Sequence, residues 1–234
     1  MNLDDLNKQI QSIVDLQNNA PLDDFEGLSP TEMNSVRLEL FQSDCPVTIN
    51  DIDPKDESPF FNIVVDLLTN IQEHQPLKIT EAGNLPKKLV MMIYDKKHIT
   101  SKYDEYYSVN KEEDFRELHT ANIISRLAKL VSIQKKKISL TKKGTQLLIP
   151  SNRPKLFSEV IKTFLSGFNI AYNDRYYDDE ETGVMVMGMG FSLYLLGKHG
   201  NKEQLDEYYA KKYFQAFPIL LQLHQYTFGS HEHS

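Results

Sequence analysis

Residues 138–148, ISLTKKGTQLL, and residues 77–85, LKITEAGNL, share one pattern. In each stretch, alternating apolar side chains indicate a short β-strand, which continues into the motif Thr-x-x-Gly. Thr80 of the earlier stretch aligns with Thr141 of the later one at an offset of 61 residues. A helix with one apolar face is predicted before each stretch. The sequence therefore suggests a helix–strand–turn–helix unit that occurs twice.

The helices that precede the two strands match as well. Asn62 aligns with Asn122, and Leu67 with Leu127, at an offset of 60 residues. A one-residue insertion in the second linker reconciles this offset with that of the strands. Segments this short also match by accident, so a chance match is the alternative to duplication.

The second copy has an added feature, a predicted hairpin. Two helical stretches, 112–118 and 121–131, are joined near Thr120, a good N-cap residue. The β-prone runs 131–133 and 138–140 follow them and flank a lysine-rich tip. The order helix, helix, hairpin is that of a winged helix-turn-helix, with the second helix as the candidate recognition helix and the hairpin as the wing.

Most of the remaining chain is predicted to be helical. Residues 2–17 carry apolar side chains at helical spacing, and we expect this helix to pack on the body of the protein rather than to hold a partner. Ser29 and Glu32 form the signature of a capping box at the start of the next helix. Beyond Pro150, helical spacing again dominates.

These patterns predict a mainly helical α+β fold with a duplicated winged-helix-like core and small β-hairpins. Three regions are predicted: an acidic N-terminal arm with short helices at 1–58, the duplicated winged-helix-like core at 59–150, and a helical C-terminal region at 151–234.

Charge is strongly segregated along the chain. The net charge is −7, and the first 60 residues contain 13 acidic and three basic residues. Between residues 126 and 158 there are nine basic residues and no acidic one. The overall charge argues against a protein that coats nucleic acid or an anionic membrane with its whole surface, but a local basic patch is compatible with it.

The basic segment suggests contact with nucleic acid, since clustered Lys and Arg gain affinity for phosphates by releasing counterions. Lysine positions a backbone without specifying a base, so only Asn122, Ser125 and Arg126 are plausible readers of base edges. The candidate contacts are Asn122, Ser125, Arg126, Lys129, Lys135, Lys136, Lys137, Lys142 and Lys143.

The competing explanation of the basic segment is a protein contact. A basic wing can lie against the acidic N-terminal region or against an acidic partner, and a lysine-rich tip also protects an edge strand from pairing. We therefore expect a non-enzymatic scaffold or binding module whose partner is either nucleic acid or an acidic protein surface.

Catalytic signatures are missing from the sequence. It contains no GxxxxGK[ST], GxGxxG, HExxH or GxSxG motif. Cys45 is the only cysteine, which excludes an intramolecular disulfide and a thiolate zinc cluster. The histidines are dispersed, with three near the C-terminus at 224, 231 and 233, so neither a metal nor a cofactor is expected. An enzyme that uses the carboxylates of residues 174–181 is the remote alternative.

Targeting and membrane segments are also not evident. The stretch from Met1 lacks the basic start and apolar run of a secretory signal, and the most apolar run, 184–196, is too short to span a bilayer. A cytoplasmic location without a membrane partner is the simplest prediction.

Four motifs carry a resemblance to a known family. They are PLDDFEGLSPTEM at 21–33, LKITEAGNLPKKLV at 77–90, ISLTKKG at 138–144, and FSLYLLGKHGNKEQLDEYYAKKYFQAFP at 191–218. With them the chain resembles, over nearly its whole length, an uncharacterised bacterial family similar to plasmid-borne and transposon-passenger reading frames. The resemblance implies no catalytic residue, because no activity is established for that family. An association with mobile elements would favour nucleic acid as the partner.

Overall fold

The computed structural model describes residues 2–54, 58–100, 108–169 and 188–221. Across them the chain is mainly helical and contains a small three-stranded antiparallel sheet, which confirms the predicted α+β class.

Contacts within the chain define two compact units. The central unit is Ile49–Asn169, and the terminal unit combines Met1–Thr48 with Ile170–Ser234. This grouping differs from the three predicted regions, because residues 151–169 join the central unit and the two ends of the chain form a unit together.

Among the described residues, the helices are α1 (Leu3–Asn19), α2 (Pro30–Leu38), α3 (Pro59–His74), α4 (Lys87–Tyr94), α5 (Arg116–Leu127), α6 (Lys142–Leu147), α7 (Arg153–Ser166), α8 (Met189–His199) and α9 (Asp206–Ala216). The strands are β1 (Leu77–Lys78), β2 (Val131–Gln134) and β3 (Lys137–Leu140). Single turns of 3-10 helix lie at Asp23–Phe25, Glu112–Asp114 and Pro150–Asn152.

Helix α3 lies at the centre of the core of the central unit. Its side chains Phe61, Val64, Leu67, Leu68 and Ile71 are fully buried. They recur at three- and four-residue steps, which confirms the predicted amphipathic helix. The main partner of this apolar face is α5.

One helix, rather than two, precedes the hairpin. Helices over 112–118 and 121–131 were predicted, with Thr120 as the cap between them. In the structure a 3-10 turn leads into α5, and Thr120 is buried inside that helix. The predicted break is wrong because apolar side chains on both sides of Thr120, such as Leu118 and Ala121, lie on one buried face of a continuous helix.

The three strands pair in the order β1-β3-β2. Strands β2 and β3 form the predicted hairpin, in which Gln134 and Lys137 are register partners on either side of a two-residue turn. Strand β1 pairs with the other edge of β3, where Leu77 lies opposite Ile138. Ile138 is fully buried, so the inner face of the sheet is apolar. Because strand side chains alternate, the outer face carries the polar ones.

The two Thr-x-x-Gly motifs are structural in different ways. Thr141 caps α6, where its hydroxyl accepts a hydrogen bond from the Gly144 amide at 3.0 Å. Thr80 instead closes a turn, since its hydroxyl accepts from the Asn84 amide at 2.9 Å and Gly83 has a φ of 88°. Duplication of the unit therefore stays a prediction, although both motifs follow strands that pair with each other.

The terminal unit has a core of its own. Helix α2 begins with the predicted capping box between Ser29 and Glu32. Its side chain Val36 packs in a cluster with Phe191 and Leu195 of α8. Cys45 is buried in the same cluster, in keeping with a small apolar role for this thiol.

None of the described helices combines the length and apolar composition needed to cross a membrane.

Candidate nucleic-acid interface

The tip of the hairpin consists of Lys135 and Lys136. Both residues are exposed and have positive φ values, 48° and 58°, which is the conformation of a type I′ turn. That turn usually contains Asn and Gly, because other residues are strained at positive φ. The ammonium group of Lys136 pairs with the carboxylate of Glu81, so this lysine already has a partner within the central unit.

The outer face of the sheet brings two more lysines together. Lys78 of β1 and Lys137 of β3 are register partners, and both are exposed. Like charges that lie directly opposite each other in antiparallel strands lower stability. The sheet therefore has a concentrated positive charge on its solvent side, at a cost to the fold.

A shallow depression of about 390 Å³ lies on this side of the hairpin. Its lining residues are Pro76, Ser132, Gln134, Lys135, Lys137 and Ser139. Hydroxyl, amide and ammonium groups are all hydrogen-bond donors. Among the described residues that line the depression, none is acidic. Such a surface suits an oxyanion better than a cation.

Of the other predicted lysines, two are exposed and one forms contacts within the central unit. Lys129, two residues beyond the end of α5, and Lys142, in the first turn of α6, are exposed. Lys143 pairs with Glu159 and donates to the Ala128 carbonyl at 3.0 Å. Lys143 therefore contributes to packing within the central unit more than to a positive surface.

The structure corrects the assignment of Asn122 and Ser125 as base readers. Asn122 is buried, and its side-chain amide donates to the Glu112 carboxylate at 2.8 Å. Ser125 is fully buried, and its hydroxyl donates to the Ala121 carbonyl at 2.7 Å. Because both side chains lie inside the protein, neither can reach a base edge.

Arg126, the third predicted reader, is half-buried. Its Nε donates to Asn122 Oδ1 at 3.1 Å, and its Nη2 donates to the Gly83 carbonyl at 3.0 Å. The guanidinium group thus ties α5 to the turn between β1 and α4.

A buried carboxylate explains why Asn122 is internal. Glu112 is almost fully buried and accepts a hydrogen bond from the Leu85 amide at 2.5 Å, in addition to that from Asn122. His119 Nδ1 lies 2.9 Å from the same carboxylate. Sequence reasoning missed this network because Leu85 and Glu112 lie 27 positions apart and no local motif marks them.

The terminal unit contains another carboxylate cluster that the sequence did not reveal. His199 Nε2 lies 3.0 Å from the Glu26 carboxylate, and Lys212 donates a hydrogen bond to it. Burial by itself raises the pKa of Glu26, but the hydrogen bonds from Lys212 and His199 outweigh burial and lower that pKa below its usual value. Tyr208 completes the cluster with its hydroxyl 3.2 Å from His199 Nδ1.

A polar cleft of about 430 Å³ lies elsewhere in the central unit and is lined in part by Asp66, His98 and Arg153. Asp66 contacts His98 Nε2 and Lys96 Nζ, each at 2.6 Å. Arg153 Nη2 donates to Asn62 Oδ1 at 3.1 Å. The charges around this cleft are of both signs and pair with one another, unlike those of the outer sheet face.

In the described parts of the chain, no group of three or more His, Cys, Asp or Glu side chains is positioned to hold a metal ion. The carboxylates of residues 174–181 and the histidines at 224, 231 and 233 lie outside the described residues.

Comparison with known protein families gives a match within the central unit. Residues 56–155 match the family model described as the Y4jL N-terminal domain. No curated protein and no solved structure matches the chain. The matched stretch lies within the central unit and contains all nine candidate contact residues. It fits the resemblance to an uncharacterised family, and the chain is similar to the Y4jL N-terminal domain over this unit.

Proposed function

We propose that the central unit binds the phosphate backbone of nucleic acid through the hairpin and the outer face of its sheet. In this proposal α3, β1, α4, α5 and the hairpin together form a single winged-helix-like unit, with the hairpin as the wing. The helix pair is then α4 and α5, not the pair predicted within residues 112–131. The pairing order β1-β3-β2 supports this interpretation, because it joins the wing to the strand between the first two helices.

The observation that carries the proposal is the pairing of Lys78 with Lys137. Their register places two exposed lysines directly opposite each other on neighbouring strands, and the repulsion between their charges favours the binding of an anion that neutralises both. Lys135 lies at the adjacent tip. Nucleic acid offers phosphates at short, regular spacing, so one bound strand can neutralise several of these lysines together.

We propose that this binding is not sequence-specific. Asn122 and Ser125 are buried, and Arg126 is held by a carbonyl and an amide of its own unit. The contacts that remain come from lysines, which position a backbone without reading bases. With about three phosphate contacts, affinity should fall about 40-fold between roughly 50 and 200 mM monovalent salt.

Fluorescence anisotropy with labelled duplex DNA at low salt tests this proposal. The test variant is Lys135→Gln/Lys137→Gln, and the matched control is Lys202→Gln/Lys211→Gln, which removes the same charge from exposed positions of the terminal unit. We expect the test variant to lose at least about tenfold in affinity and the control to lose less than about twofold. Absence of wild-type binding at low salt, or equal losses in both variants, would contradict the proposal.

An acidic protein partner is the second candidate. The pair between Lys136 and Glu81 favours it, since a carboxylate already satisfies one hairpin lysine. Competition with polyglutamate distinguishes the two candidates. We expect polyglutamate to displace labelled DNA only weakly at equal charge concentration, whereas displacement as strong as that by unlabelled DNA would favour the protein partner.

A further inference from the structure

Helix α1 has an apolar seam that the rest of the described chain leaves uncovered. The seam consists of Leu3, Leu6, Ile10 and Ile13, whose exposed fractions are 75%, 40%, 51% and 56%. No residue of α1 is buried within the described part of the chain. The expectation that this helix packs on the body of the protein is therefore not met among the described residues.

An uncovered helix of this kind needs a partner to be stable. At 17 residues, α1 is near the length at which even alanine-rich helices are marginal in water, and Ile, Val, Asn and Asp are poorer helix formers than alanine. Its attachment includes a hydrogen bond at its C-terminal end, where the Thr31 hydroxyl donates to the Asn18 carbonyl at 2.9 Å. Most helical stability in proteins comes from burying an apolar face, and the described residues leave the apolar face of α1 uncovered.

The spacing of the seam indicates what kind of molecule covers it. Steps of three, four and three residues place the four side chains at the a and d positions of a heptad repeat. Side chains at this spacing interdigitate with those of another helix that has the same repeat. A second helix is therefore the expected partner.

The distribution of charge on α1 indicates which helix the partner is. The charged residues Asp4, Asp5, Lys8 and Asp15 all lie on the side of α1 opposite the seam. The positions that flank the seam are uncharged, and they include Val14 and Leu16. In a coiled coil, charged residues at the flanking positions favour a partner helix with the opposite charges. Because the flanking positions of α1 are uncharged, two copies of α1 can meet without like-charge repulsion.

We propose that α1 pairs with α1 of a second copy of this chain. The same surface then serves both copies, as in most two-fold symmetric dimers. The spacing of the four seam residues is compatible with either orientation of the two helices. Leu3 faces Leu3 of the other copy if the helices are parallel, and it faces Ile13 if they are antiparallel. The acidic excess on the polar side disfavours an anionic lipid surface as the alternative, because membrane-surface helices are typically rich in Lys and Arg there.

Sedimentation velocity of the full chain over a range of roughly 1–100 µM tests this pairing. We expect reversible dimers of the wild type. Ile10→Asp, in the seam, should remain monomeric throughout the range. Ser12→Asp adds the same charge on the opposite side of α1 and should dimerise as the wild type does. Ile10 is exposed, so its substitution leaves both cores intact, and circular dichroism checks that each variant folds.

A wild type that is monomeric at every concentration would overturn the proposal. So would an Ile10→Asp variant that dimerises as strongly as Ser12→Asp, because the interface would then lie elsewhere. The measurement needs no nucleic acid, and its outcome is independent of the function proposed for the central unit.

Discussion

The side-chain amide of Asn122 donates to the buried carboxylate of Glu112 at 2.8 Å, so a side chain that the sequence offers as a base reader is part of the core. If Asn122 is replaced by alanine, the carboxylate of Glu112 remains buried but loses one of its hydrogen-bond donors. We expect the free energy of unfolding to fall by about 2 kcal/mol, the usual cost of removing a hydrogen bond to a buried charged group. Urea denaturation measures this loss.

DNA affinity provides the contrasting measurement for Asn122→Ala. At temperatures where the variant is folded, its affinity should equal that of the wild type, because the side chain lies inside the protein. A variant of unchanged stability that had lost DNA binding would restore Asn122 as a contact residue.

The cluster around Glu26 predicts a dependence on pH. Since the folded pKa of Glu26 is lowered, its contribution to stability is present above the unfolded value of 4.5 and is lost as the pH falls through the folded pKa. Glu26→Gln should cost about 1–2 kcal/mol of unfolding free energy at pH 7, and the difference from wild type should shrink toward zero below pH 4.5. Urea denaturation at several pH values measures it, with Glu203→Gln as an exposed control. A difference that grows on acidification would contradict this assignment.

The tip of the hairpin predicts a stabilising substitution. Lys136 has a φ of 58° at the second position of the type I′ turn, where glycine is preferred. Lys136→Gly should raise the unfolding free energy by about 0.5 kcal/mol, because relief of backbone strain exceeds the small loss of the exposed pair with Glu81. Lys136→Ala removes the same charge without relieving the strain, so it should not stabilise. Equal effects of the two substitutions would show that the turn is not strained at this residue.

Local signals in the sequence were sufficient for much of the fold. Ser29 and Glu32 mark the start of α2 because a capping box involves residues only three positions apart. The hairpin was predictable for the same reason, since its strands flank a short polar tip. The buried face of α3 follows from the spacing of its own apolar residues.

The candidate site depends on contacts that local signals do not encode. Lys78 and Lys137 are 59 positions apart, and only the pairing of β1 with β3 makes them neighbours. Asn122 is an asparagine on a helix, as an exposed base reader would be. Only its hydrogen bond to Glu112, which also binds the distant Leu85 amide, shows that its side chain is buried. Such long-range pairings arise from the packing of the whole unit, so a reading of single segments cannot supply them.

The salt dependence of DNA binding tests the central claim most directly. The affinity of the wild type and of Lys135→Gln/Lys137→Gln would be measured by anisotropy at several salt concentrations. If Lys78, Lys135 and Lys137 contact phosphates, a plot of log affinity against log salt should have a slope of about −2.7 for the wild type and about −0.9 for the variant. Equal slopes for the two proteins would contradict a phosphate-binding surface on the outer face of the sheet.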